Sequence, residues 1–328
     1  MKKAAAVLLA VVLAVGCLTG CGADQDGLVP VKVSEVAHSV FYAPQYVAMS
    51  QGFFAEEGLS VELLNGGGAD KVMTSVLTGE VQIGLAGPEA CIYVHLEGSA
   101  DAPKVFAQVT NCDGAFLVGR TDEAFSWENL RGKTIIGGRK GGVPEMTLEY
   151  VMKQKGVIPH VDAVVDTSVQ FNMMAGAFTG GNGDYVALFE PTATEVELAG
   201  QGYILCSIGA ESGEIPYTAY FATQSYMKDH GDVVQKFTNA IAKGQKWVEN
   251  HTDLEVAMAI QDQFPDTDLA VLEQVAARYR AIGAWKTEPT MVAEDFDRLM
   301  DVMSEAGELK ERVPFDKFVT NDFAEKAG

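Results

Sequence analysis

Val31-Lys32-Val33-Ser34-Glu35-Val36 alternates apolar and polar residues, and Pro44 then opens a stretch that places Tyr46, Val47, Met49 and Phe53 near one helical face. Gly52 can end that helix, and residues 60–64 read as a second strand. Alternation, then a period of about 3.6, then alternation again predicts a strand–helix–strand unit. The pattern continues outward from there. Gly66-Gly67-Gly68 makes a turn, Asp70 is a candidate N-cap for a helix over 71–78, and a strand at 82–85, a helix at 90–96 and a strand at 105–109 follow. It then repeats: strands at 134–136, 163–165, 185–189 and 203–206 are separated by helices at 144–155, 170–178 and 192–199. Such alternation predicts mostly parallel sheets with crossover helices.

From Asp232 onward the chain reads as nearly all helix, over 232–249, 254–263, 268–281 and 291–306. A helical tail cannot extend a parallel sheet, so it must cover one. It is expected to pack on the first lobe. That makes residues 30–115 plus 219–328 lobe 1 and residues 116–218 an inserted lobe 2, with two crossing segments. Between two lobes joined in this way lies a cleft, a favoured place for a small ligand.

The 328 residues suit about two domains. A chain that is 48% hydrophobic and 21% charged is not largely disordered. Its formal charge of −21 excludes nucleic acid and anionic membrane surfaces as partners. At the start, Lys2 and Lys3 precede the apolar run Ala4 to Val15, which is too short for a lasting membrane span. Leu18-Thr19-Gly20-Cys21 looks like a bacterial lipobox. The expectation is a lipoprotein signal peptide over 1–20, lipidation of Cys21, and a lipidated tether over 21–29. Cys17 is the competing site, but Ala14 stands where a lipobox prefers Leu. Three further cysteines, Cys91, Cys112 and Cys206, allow at most one disulfide and match no zinc or redox spacing; small buried hydrophobes are expected.

His38-Ser39-Val40-Phe41-Tyr42-Ala43-Pro44-Gln45-Tyr46-Val47-Ala48 is followed by Gly52-Phe53-Phe54-Ala55-Glu56-Glu57-Gly58-Leu59, then by Leu77-Thr78-Gly79-Glu80-Val81-Gln82-Ile83-Gly84, then by Leu130-Arg131-Gly132-Lys133-Thr134-Ile135. In this order, behind a lipobox, these stretches resemble the nitrate/sulfonate/thiamine-pyrimidine family of ABC importer substrate-binding proteins, over nearly all of the chain beyond the leader. The resemblance implies a type II periplasmic-binding-protein-like fold of class α/β. It also implies a monomer that closes two lobes on a solute and delivers it to an ABC permease and its ATPase. The protein would be exported and lipid-anchored to the outer face of the bacterial cytoplasmic membrane. No cofactor and no metal are expected.

Ligands in open α/β sheets sit beyond the carboxyl ends of the strands. His38, Phe41, Tyr42 and Tyr46 follow the first strand, and rings with polar tips suit a planar ligand. Core packing is the other reading of Phe41 and Tyr42, and turn capping that of His38. Gly67 and Gly68 leave amides open before one helix. Gly87-Pro88-Glu89 enters another, where Glu89 either caps the helix or meets the solute. Gly138, Arg139, Lys140, Gly141 and Gly142 lie between a strand and a helix. They lack the Gly-Lys-Ser/Thr ending of a nucleotide loop, so an amide-rich cradle is expected. Arg139 could grip an anion as a fork, or be a solvated turn. Glu190 closes a strand, and Asn111, Asp113 and Tyr217 fall at the crossings. The carboxylates favour a solute with N–H donors such as an aminopyrimidine; Arg139 favours a sulfonate-like anion. Two other functions compete: a solute sensor of the same fold, and a pyrimidine-synthase-like enzyme. Against the enzyme, there is no cysteine cluster, nucleophile elbow or metal-binding His pair.

Overall fold

The computed structural model describes residues 27–327. The signal peptide expected over 1–20, Cys21 and most of the tether lie outside the described residues. Two five-stranded sheets organise the chain. The first contains β1 (Val29–Glu35), β2 (Leu59–Asn65), β3 (Ile83–Ala86), β4 (Lys104–Thr110) and β10 (Thr218–Ala222), in the order β2-β1-β3-β10-β4. The second contains β5 (Ala115–Gly119), β6 (Thr134–Ile136), β7 (Val164–Asp166), β8 (Tyr185–Phe189) and β9 (Tyr203–Ser207), in the order β7-β6-β8-β5-β9.

Each sheet is mixed: four of its five strands run the same way and one is inverted, which refines the expected mostly parallel sheets. In the first, β1 runs parallel to β2 and β3, but β10 runs antiparallel to both β3 and β4. In the second, β6 is parallel to β7 and β8, while β5 is antiparallel to β8 and β9. The inverted strands β5 and β10 are the two the sequence reading omits. Each follows a passage from one lobe to the other. Each is buried at every position, so Ala115-Phe116-Leu117-Val118-Gly119 and Thr218-Ala219-Tyr220-Phe221-Ala222 carry no alternation to betray them.

The two crossings are bonded to each other. Ile215 N–H donates to the Asn111 carbonyl at 2.9 Å, and Thr110 Oγ1 donates to Thr218 Oγ1 at 2.7 Å. Gly114 lets the Phe41 ring lie against the first crossing: a Cβ there would stand 2.7 Å from that ring.

The tail packs on the first lobe. In the helix Gly231–Asn250, Val233, Val234, Phe237, Ala240, Ile241, Gly244 and Val248 form one buried stripe, at the spacing an amphipathic helix needs. It lies against the helix Ala43–Ser50. Phe237 joins Phe54, Phe106 and Tyr220 in a ring cluster under the first sheet, with Tyr220 edge-on at 4.9 Å. Each such ring, fully buried, contributes roughly 1.5–3 kcal/mol. The tail also reaches the second lobe, where the helix Ala293–Glu305 packs against the helix Val143–Gln154 and Arg278 pairs with Glu190.

Candidate solute site in the interlobe cleft

Loops after strand carboxyl ends meet between the lobes around two adjoining spaces of about 590 and 640 Å³, partly open to solvent. The first lobe contributes Val36 after β1, Gly67 to Asp70 after β2, and Gly87 and Glu89 after β3. The second contributes Arg139 and Gly142 to Pro144 after β6, Gln170 and Phe171 after β7, and Phe189 at the end of β8. Tyr42, Tyr217 and Thr218 complete the first space. Tyr42, Phe171, Phe189 and Tyr217 give it a ring-lined wall, with Phe171 edge-on to Phe189 at 5.3 Å.

Three helices begin here: Ala69–Leu77, Glu89–Leu96 and Val143–Gln154. The first starts earlier than expected. Gly68, not Asp70, is its N-cap, and Asp70 falls in the first turn. Free amides at helix starts draw anions, but the protein's own carboxylates already stand there. Glu89 Oε1 accepts from Val143 N–H at 3.3 Å across the cleft. Its other oxygen, Oε2, lies over Gly87, where an added Cβ would be 2.0 Å away, and has no hydrogen-bond partner. Burial pushes this carboxyl up to about 7; the Arg139 charge and the amides of Val143, Glu89 and Ala90 hold it from rising further. Glu89 Oε1 therefore caps the facing helix start, while Oε2 is buried without a hydrogen-bond partner.

The expected site residues divide by their partners. Tyr42, Gly67, Gly68, Gly87, Glu89, Arg139, Gly142 and Tyr217 line the first space. The Tyr217 hydroxyl is buried beside the Asp113 carboxyl, which draws a hydrogen bond from it. Arg139 does not wait for an anion, because Asp70 of the facing lobe lies 3.8 Å away. Their side chains are 40% and 55% exposed, so the pair is worth little by itself.

His38 and Glu190 border the second space, yet both are internally engaged. His38 donates from Nδ1 to Glu35 Oε1 and from Nε2 to the Gln263 carbonyl, both at 2.8 Å, and stacks on Phe264. Two pure acceptors require the doubly protonated ring. Burial opposes that charge, but Glu35 and the Gln263 carbonyl outweigh it and leave His38 above its usual range. Glu190 accepts from Thr194 N–H at 2.8 Å, from Thr194 Oγ1 at 2.9 Å and from Arg278 at 2.7 Å, which leaves it a structural carboxylate.

Eight expected residues line neither space. Phe41 packs beneath the wall, its ring 5.2–5.7 Å from those of Tyr42, Phe189, Tyr217 and Tyr279. Tyr46 lies below it, donating to Glu35 Oε2 at 2.9 Å. Pro88 is the N-cap of the helix Glu89–Leu96. Asn111 engages its backbone with Ala284 and Ile215 at the crossing. Asp113 is fully buried and accepts from Ala115 N–H at 2.6 Å; desolvation pushes it up to about 8, so it stays neutral at pH 7. Gly138 takes a left-handed turn, φ 95°, behind the loop. Lys140 points outward to Glu308 at 3.8 Å, and the Gly141 carbonyl accepts from the Tyr93 hydroxyl at 2.9 Å. Sequence reasoning passed over Val36, Asp70 as a wall residue, Gln170, Phe171 and Thr218. For the residues after β1 and β7, the strand-end rule that picked out the others would have served. Cys91, Cys112 and Cys206 are free thiols.

A family profile described as NMT1/THI5 like matches residues 40–253. The chain belongs to the NMT1/THI5-like family. It is 45% identical over 304 residues to a protein of Bacillus subtilis (strain 168) named "Putative binding protein YtlA", covering 92% of this chain and 91% of that one. Among solved structures, it shares the fold of the alkanesulfonate-binding protein SsuA of Xanthomonas axonopodis pv. citri bound to MOPS, with a TM-score of 0.72, 16% identity and coverage of 89% and 98%. The periplasmic nitrate-binding protein NrtA of Synechocystis PCC 6803 gives a TM-score of 0.72, 14% identity and coverage of 92% and 88%. The fold is thus the two-lobed type II periplasmic-binding-protein architecture. Among the described residues, no helix is long and apolar enough to cross a membrane.

Proposed function

We propose that the protein is the extracytoplasmic solute-binding component of an ABC importer, and that its solute is a planar nitrogen heterocycle bearing an N–H donor, of the aminopyrimidine kind. The NMT1/THI5-like family, a relative carrying the words "binding protein" and the fold shared with alkanesulfonate- and nitrate-binding proteins support solute capture. One observation carries the choice of solute. Glu89 is buried at the foot of a ring-lined wall with Oε2 open. A buried unpaired acceptor costs roughly 1–3 kcal/mol, and more when charged. An N–H donor from a stacked heterocycle satisfies it. An anion in the first space would instead face Glu89 and Asp70, with Arg139 as the one cation among the residues lining it.

The test is a thermal-shift panel of aminopyrimidines, alkanesulfonates and nitrate, followed by calorimetry on the hits. Saturation about 100-fold above Kd adds roughly 2.7 kcal/mol to stability and is readily seen. Stabilisation by an aminopyrimidine alone supports the assignment; stabilisation by a sulfonate or nitrate alone overturns it.

The protein is further proposed to be a lipoprotein anchored through Cys21 on the outer face of the cytoplasmic membrane, supported by Leu18-Thr19-Gly20-Cys21 behind an apolar run. Cys21→Ala should move it from the membrane fraction to the soluble exported fraction, because acyl chains supply the anchorage. A variant that stays processed and membrane-bound would shift the assignment to Cys17.

A further inference from the structure

The second lobe holds a cluster of side chains that line neither solute space. Glu145 and Glu149 stand one turn apart on the helix Val143–Gln154, and His160 follows in the turn beyond it. Their ligand-capable atoms all lie within 4.8 Å of one another, and His160 Nε2 is 2.7 Å from Glu149 Oε1. Both glutamates are no more than 5% exposed. Even so, among the described residues no lysine or arginine forms an ion pair with either. Glu145 Oε2 accepts from Gly141 N–H at 3.0 Å, and its carboxyl faces that of Glu149; burial, and then that neighbour's negative charge, push it up. Glu308 adds further negative charge nearby. Two buried carboxylates side by side need a cation or a shared proton between them.

We propose that Glu145, Glu149 and His160 bind one divalent transition ion of the zinc class. One imidazole and two carboxylates suit zinc, at about 2.0–2.2 Å from each ligand atom, so small side-chain movements close the present spacing around an ion. His160 is on the surface, its side chain 56% exposed, which leaves a route in and a fourth position for water. The site bears on the cleft through its neighbours. Glu145 holds the Gly141 amide, and the Gly141 carbonyl receives the Tyr93 hydroxyl of the opposite lobe. A bound ion would fix the loop that carries Arg139 and Gly142.

The test is calorimetric titration of zinc chloride into the chelator-treated full chain at pH 7, with Glu149→Gln and His160→Asn in parallel. His160 sits at φ 61°, a conformation asparagine tolerates, so the fold should survive; circular dichroism checks both variants. One zinc per chain is expected, with affinity lowered about tenfold or more in each variant. No zinc binding at millimolar concentration, or undiminished binding in both folded variants, would overturn the assignment. So would calcium binding in place of zinc and insensitive to His160→Asn. None of these readouts involves the solute, so failure here leaves the importer assignment standing.

Discussion

In the proposed site, Glu89 is the group that selects the solute. In the folded protein burial raises this carboxyl from 4.5 to about 7. The folded state therefore holds a proton that the unfolded chain releases, and stability falls as pH rises from about 4.5 to about 7. Solute binding should run the other way. A heterocycle that donates N–H to Glu89 needs the carboxylate, so its affinity should climb with pH, by up to tenfold per unit below about pH 7, and then level off. Glu89→Gln should weaken binding about tenfold or more and flatten the profile. Arg139→Ala should cost less than about fivefold, because an exposed pair with Asp70 is worth about 1 kcal/mol or less. Calorimetry from pH 5 to 8 reads both variants. Affinity that falls with pH, or that collapses with Arg139→Ala while Glu89→Gln is silent, would return the site to an anion.

At the scale of elements, the closest approach in the first lobe is that of the tail helix to the helix Ala43–Ser50. A Cβ at Gly244 would stand 2.2 Å from the Pro44 carbonyl oxygen. Alanine in an open helix is better than glycine by about 1 kcal/mol. Here the contact is backbone, which cannot turn aside, so Gly244→Ala should destabilise by about 1–3 kcal/mol in chemical denaturation. A stabilised variant would mean that the helices stand farther apart. The sequence shows why such packing forms, since the buried stripe of the helix Gly231–Asn250 is written at helical spacing. It does not show the neighbour that Gly244 must meet. The same boundary runs through the strands. Val31 to Val36 alternates and was legible. β5 and β10, buried on both faces, were not, and their antiparallel direction rests on pairings distant in sequence. At the site, the sequence located eight of the seventeen residues around the first space, six of them at glycine-rich strand ends. His38 and Glu190 looked equally open in sequence, because the Gln263 carbonyl and Arg278 that engage them come from the far tail.

For the whole molecule, the question is how closure is balanced. Across the first space the lobes meet through few bonds: Glu89 to Val143 N–H, Tyr93 to the Gly141 carbonyl, and Arg139 to Asp70. Each is worth about 1 kcal/mol net; away from that space Arg278, Tyr279 and Ser39 also bond Glu190, and the helix Ala293–Glu305 packs on the helix Val143–Gln154. A solute touching both walls binds the closed form better and draws the population toward it. Apparent affinity then scales with the fraction already closed. Tyr93 lines neither space, but its hydroxyl bonds across the rim. Tyr93→Phe removes that bond and no wall contact, so it should lower affinity about three- to tenfold while leaving the pH profile set by Glu89 in place. Solution scattering should show a smaller radius of gyration once the stabilising solute from the panel is at saturation. The same contraction in the variant should need more solute. An unchanged radius at proven saturation, together with wild-type affinity in Tyr93→Phe, would mean that the lobes are fixed and that the cleft fills without closing.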